Sequence, residues 1–150
     1  MAAINREVSR DALEALLETA LVGTGLPAQA VYNYQIGDFA GQSPVVTVSS
    51  GGSLRSRRTI TNTNWDNVFY LNVHVFVLYA EPDNANWTEA HAEDTLDDIE
   101  RRIADVLMDN RGTANWDVIN YAGRSNRISI DIGGDEYITE IIPIQVEKYE

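Results

Sequence analysis

The chain has 150 residues, no cysteine, and 23 acidic residues against 11 basic ones, a formal charge of −12. That length suits one domain with a core large enough to need no metal or disulfide staple. The missing cysteine excludes disulfide scaffolds, thiolate zinc sites, iron–sulfur clusters and cysteine nucleophiles. The acid excess argues against binding to nucleic-acid backbones or anionic membranes. No apolar run approaches the ~20 residues that cross a bilayer, and residues 1–10 hold no apolar signal-peptide core. The expectation is a soluble, acidic, single domain over 1–150.

The first element is a helix over about 9–22. Leu13, Leu16, Leu17, Ala20 and Leu21 form one apolar stripe. Ser9 stands where an N-cap would, and Gly23 where the chain would stop. Two short β-prone runs follow, 30–35 and 44–49, separated by the turn-like stretch 37–41. Residues 49–67 read SSGGSLRSRRTITNTNWDN. This stretch is either a long loop or two strands of an extended hairpin, a projecting arm whose start or tip is Gly51-Gly52.

The strongest strand signal covers 68–80. Phe69, Leu71, Val73, Val75, Val77 and Tyr79 share one face, while Tyr70, Asn72, His74, Phe76 and Leu78 make the other half-apolar and in need of partial cover. Its 13 residues are long for a strand, so part of it is expected to extend beyond the sheet. A second helix over 87–110 is marked by Ala92, Leu96, Ile99, Ile103 and Val106, with Asn86 or Thr88 as its cap and Glu89 placed for a capping box with Asn86. The last third reads as strands over 116–121, 127–132 and 136–149, the last two joined by Gly133-Gly134-Asp135. Pro143 lacks an N–H, which predicts an edge strand or a bulge at that point. The order α-β-β-(arm)-β-α-β-β-β indicates an α+β domain, a mostly antiparallel sheet with two helices packed on one face.

The chain offers little chemistry. There are two histidines: His74 lies mid-strand, and His91 shares a helix face with Asp94, where a structural reading competes with a weak divalent-ion site. No GxSxG, HExxH, P-loop, EF-hand or GxGxxG pattern occurs. No catalytic residue, metal ligand or cofactor site is assigned.

Charge placement says more. Between Glu81 and Asp109 lie ten acids and two arginines, a local charge of −8. Glu93, Asp94, Asp97, Asp98 and Asp105 are the acidic-surface residues singled out. The structural reading is a solvated helix face; the functional one is a field that repels DNA or docks a basic partner. Arg55, Arg57 and Arg58 form the opposite pole, and with Trp65 they are the expected subunit-interface residues. Arg55 and Arg57 would share a strand face, able to reach one acidic surface. A basic arm of one copy meeting the acidic helix of the next is a heterologous contact, and such contacts close into rings.

The succession ALEALLETAL, SPVVTVSS, NVFYLNVHVFVLYAE, EAHAEDTLDDIERRIADVL and EIIPIQVEKY resembles the tail-terminator (tail-completion) proteins of long-tailed bacteriophages. The resemblance implies a non-enzymatic virion protein at the tail–neck junction, made in the host cytoplasm. Such a protein forms a homo-oligomeric ring, usually a hexamer, on the last ring of the tail tube protein. It stops polymerisation there and receives the head–neck connector protein, while DNA passes through the ring without specific binding. Two alternatives stay open: another neck, head-completion or tube subunit, and a small acidic ligand-binding or enzymatic α+β domain.

Overall fold

The computed structural model describes residues 3–58, 64–79 and 87–150. Helix α1 (Arg6–Leu21) starts three residues before the expected position. Asn5 is its N-cap, with Oδ1 accepting the Glu7 N–H at 3.0 Å, which satisfies one of the free donors of the first turn. Ser9 is therefore inside the helix. It is buried, and its hydroxyl donates to the Asn115 carbonyl at 3.4 Å.

Strand β1 (Ala30–Tyr32) is short and runs parallel to β2 (Val45–Arg57), which pairs antiparallel with β3 (Trp65–Leu78). Helix α2 (Glu89–Asp109) follows, then β4 (Val118–Tyr121), β5 (Asn126–Ile132) and β6 (Asp135–Tyr149). The sheet order is β1-β2-β3-β6-β4, with β5 also on β6. The fold is thus α+β with a six-stranded, mostly antiparallel sheet, as the element order indicated.

Alternate residues of β2, β3 and β6 meet both helices. Val46, Val48, Phe69, Leu71, Val73, Ile142 and Ile144 join Leu13 and Leu17 of α1 and Leu96, Ile99 and Ile103 of α2 in one core. Each such side chain contributes on the order of 1.5–3 kcal/mol through burial. On the opposite, helix-free face, the 37–41 stretch supplies the cover the sequence required at one end of the sheet. Phe39, 2% exposed, packs with Val45, Phe76, Leu78 and Tyr137.

Two local expectations are corrected and one is narrowed. The α2 cap is Thr88, one of the two expected, but the capping box pairs it with His91, whose Nδ1 lies 2.9 Å from Thr88 Oγ1 and 3.4 Å from the Thr88 backbone nitrogen. Asn86 lies outside the described residues. Gly51-Gly52 is not the tip of the hairpin but the place where its exposed arm starts. The β2–β3 register runs unbroken to Arg57↔Trp65 except for a bulge between Ser50 and Gly52.

Pro143, finally, lies in neither an edge strand nor a bulge. Strand β6 is internal, paired with β3 on one side and with β5 and β4 on the other. The β5 pairing ends at Ile141 and the β4 pairing begins at Ile144. Pro143 falls in that changeover, its carbonyl accepting the Ala122 N–H at 2.9 Å. Backbone N and C=O of one residue point the same way in a strand, so the missing N–H falls where no strand asks for a donor.

Candidate subunit interface

The bulge decides which side of the sheet the arginines occupy. Before it, Val46, Val48 and Ser50 share the helix face with Val75, Val73 and Leu71. One extra residue then shifts the alternation, so that Ser53, Arg55 and Arg57 lie opposite Phe69, Asn67 and Trp65 on that same face. A regular strand would have carried all three to the helix-free side. Glycine is required at the bulge: a Cβ at Gly51 would come within 2.9 Å of Asn72 Nδ2 and 3.2 Å of the Tyr70 carbonyl oxygen, and Gly52 has φ +131°.

Each sequence-selected arginine lies over an aromatic ring. Arg55 is 5.1 Å from the Phe69 centroid, Arg57 is 5.4 Å from Trp65, and Arg58 is 5.2 Å from Tyr149, within cation–π range. Arg55 also donates to Asn67 Oδ1 at 3.2 Å and to the Ile4 carbonyl at 2.8 Å. Arg58 pairs with Asp66 at 2.6 Å. Arg57 forms no ion pair among the described residues. Residues 59–63 of the expected arm lie outside them.

The five selected acids of α2 divide by their partners. Asp98 accepts from Arg101 and Arg102, each at 3.0 Å, and Asp105 accepts from Arg101 at 3.0 Å. Burial alone would raise the Asp98 carboxyl, but the two guanidiniums hold it below its usual range. Glu93 pairs with Arg127 of β5. Asp94 and Asp97 are exposed and form no ion pair among the described residues. Glu100, which was not singled out, is pushed up by burial and by the nearby charges of Glu140 and Asp97.

Two further arginines were missed. Arg6 donates to Ser53 Oγ at 2.9 Å, and Arg10 to Ser50 Oγ at 3.2 Å. Both come from α1 and reach the arm from above the helix face. Their sequence neighbours Glu7 and Asp11 hide the charge, and only the bulge brings Ser50 and Ser53 onto the same side. His74 meets Gln35 Nε2 at 3.1 Å, and burial pushes its imidazole pKa down. Among the described residues, no three His, Asp or Glu side chains gather to hold a metal ion.

No family model matches the chain, and no curated protein matches it. Among solved structures, the chain is similar to the sheath/tube terminator of an extracellular contractile injection system, PVC, in its extended state. The TM-score is 0.47 at 10% identity, over 100% of this chain and 58% of that one. The chain thus spans just over half the length of that structural neighbour, and at this score the likeness carries no functional argument. The functional reading rests on the residues.

Proposed function

We propose that this chain is a tail terminator: a structural, non-enzymatic subunit of a virion's tail–neck junction. It self-assembles into a ring, with six subunits as the expected number, on the end of the tail tube. The observation that carries the reading is the charge left unpaired on two different parts of one chain. Arg57 is exposed on the β2–β3 arm, and Asp94 and Asp97 are exposed on α2. Opposite charges on two distinct patches favour a heterologous contact, which repeats by rotation until the ring closes. The order of the elements, the same in the fold as in the resemblance, supports the same reading.

The mechanism is geometric. One ring surface matches the last ring of the tube protein and the other matches the head–neck connector, so no further tube subunit finds its own kind to bind. The chain's overall charge of −12 keeps passing DNA from adhering. The test is negative-stain imaging of the purified protein, with light scattering for mass. Single rings with a central hole, absent or weakened in Arg57→Glu/Arg58→Glu, are the expected result. Stacked tubes would assign the chain to a tube subunit, and a monodisperse monomer would sink the ring altogether.

A further inference from the structure

Above the bulge, Arg6, Arg10 and Arg55 line one surface cavity of about 390 Å³ together with Ser50 and Ser53. Three guanidiniums there face one carboxylate, Glu7, and none of the three forms an ion pair among the described residues. Arg10 Nε is buried with no hydrogen-bond partner, and a buried guanidinium donor left unmatched is costly unless something accepts from it. Converging guanidiniums with two hydroxyls suit a carboxylate or phosphate oxygen.

The opposite edge of the sheet carries the complementary group. Asp97 and Glu100 on one flank of α2 lie near Glu140 of β6, and none of the three has a cationic partner among the described residues. Their mutual proximity shows in the upward push on the Glu100 carboxyl and on the Tyr121 phenol, each led by burial and reinforced by these neighbours. Among the described residues, the Glu140 carboxylate accepts from the Ser125 hydroxyl alone, at 2.8 Å. Arg127 is engaged with Glu93, and Arg124 forms no ion pair among the described residues.

The two clusters lie on the same, helix-bearing face but at different heights: Glu140 pairs with Val75 and Val75 with Val46, four residues before Ser50. A contact between two such distinct patches is heterologous, and it gives a ring where the rotation between copies closes. The exposed ring of Tyr121 lies beside the acid patch.

We infer that Arg6, Arg10 and Arg55 form an anion cradle filled by Asp97, Glu100 and Glu140 of a second copy of this chain. The inference rests on the ring proposed above and adds a second contact across its interface. The experiment compares the wild-type chain with Arg6→Glu/Arg10→Glu, with Asp97→Arg/Glu100→Arg, and with the chain carrying all four changes. Circular dichroism confirms folding, and sedimentation reads assembly. Each pair alone is expected to weaken self-association by about a hundredfold, because like charges then meet across the contact. The fourfold variant is expected to regain rings, and raising salt is expected to dissociate the wild-type ring.

Rings that persist in both pair variants would overturn the cradle and leave the ring reading intact. A wild-type monomer would overturn both. Loss of rings in both pairs without recovery in the fourfold chain would overturn the proposed pairing. If Arg6→Glu/Arg10→Glu keeps its rings but loses retention on a phosphate-bearing resin, the cradle binds phosphate and the proposal fails.

Discussion

The two ends of β2 are one strand built on two kinds of energy. Residues 45–48 are buried to the last side chain, while residues 53–57 beyond the bulge are all exposed. The root is held by apolar burial against both helices and the Phe39 cluster. The arm is held by guanidiniums lying over its rings and by bonds to Ser, Asn and backbone groups. Such contacts contribute about 0.5–1 kcal/mol each at exposed sites, a fraction of what the root gains. The arm can therefore be altered heavily without unfolding the domain, and the root cannot. This is the property expected of a contact surface carried on a rigid scaffold.

The largest effect should come from the root. Leu71→Ala removes a side chain with 0% exposure between both helices. It should cost roughly 2–5 kcal/mol, read as a lower denaturant midpoint. Gly51→Ala comes next. Its Cβ meets the Asn72 amide and the Tyr70 carbonyl, and a loss of about 1–3 kcal/mol is expected. A compensated gain in stability would mean the bulge is dispensable.

Trp65→Ala tests the arm itself. The loss in stability should stay near 1 kcal/mol, while ring formation falls far more than the unfolding midpoint. Equal losses in both would erase the distinction between root and arm. Asp66→Ala breaks an exposed ion pair with Arg58, and its effect should lie within about 0–1 kcal/mol.

The smallest effect is a pH slope. Burial lowers the His74 pKa in the folded chain, so below the unfolded value of 6.5 the unfolded chain binds more protons. Stability should fall as pH drops through 6.5 and level off once the folded histidine is also protonated. Thermal melts between pH 8 and 5.5 should show the slope, and His74→Gln should flatten it.

Much of this scaffold could be read from period alone. The α2 seam of Ala92, Leu96, Ile99, Ile103 and Val106 is buried throughout, because a stripe three or four residues apart has one way to face a core. The alternating face of β3 is equally plain. Register was the hidden quantity. Gly51-Gly52 reads as a turn in any local window, and only pairing with β3 reveals a bulge that moves Arg55 and Arg57 to the helix side. Phe39 was hidden in the same way, a core residue inside a stretch whose glycines advertise a turn. Of the candidate interface, the arm arginines were legible as a charge run. Arg6 and Arg10 were not, because their partners lie 47 and 40 positions away along the chain.

The changeover at Pro143 also bears on how this sheet meets other strands. An uninterrupted outer neighbour of the 15-residue β6 would offer a long free edge, and a long free edge recruits strands without limit. Here that edge is cut into pieces of four and seven residues that never run on into each other. Such a margin is too broken to template endless strand addition. The opposite margin is open: among the described residues β1 covers only Val45, Val46 and Thr47 of β2, so a further strand would find its free edge along the arm.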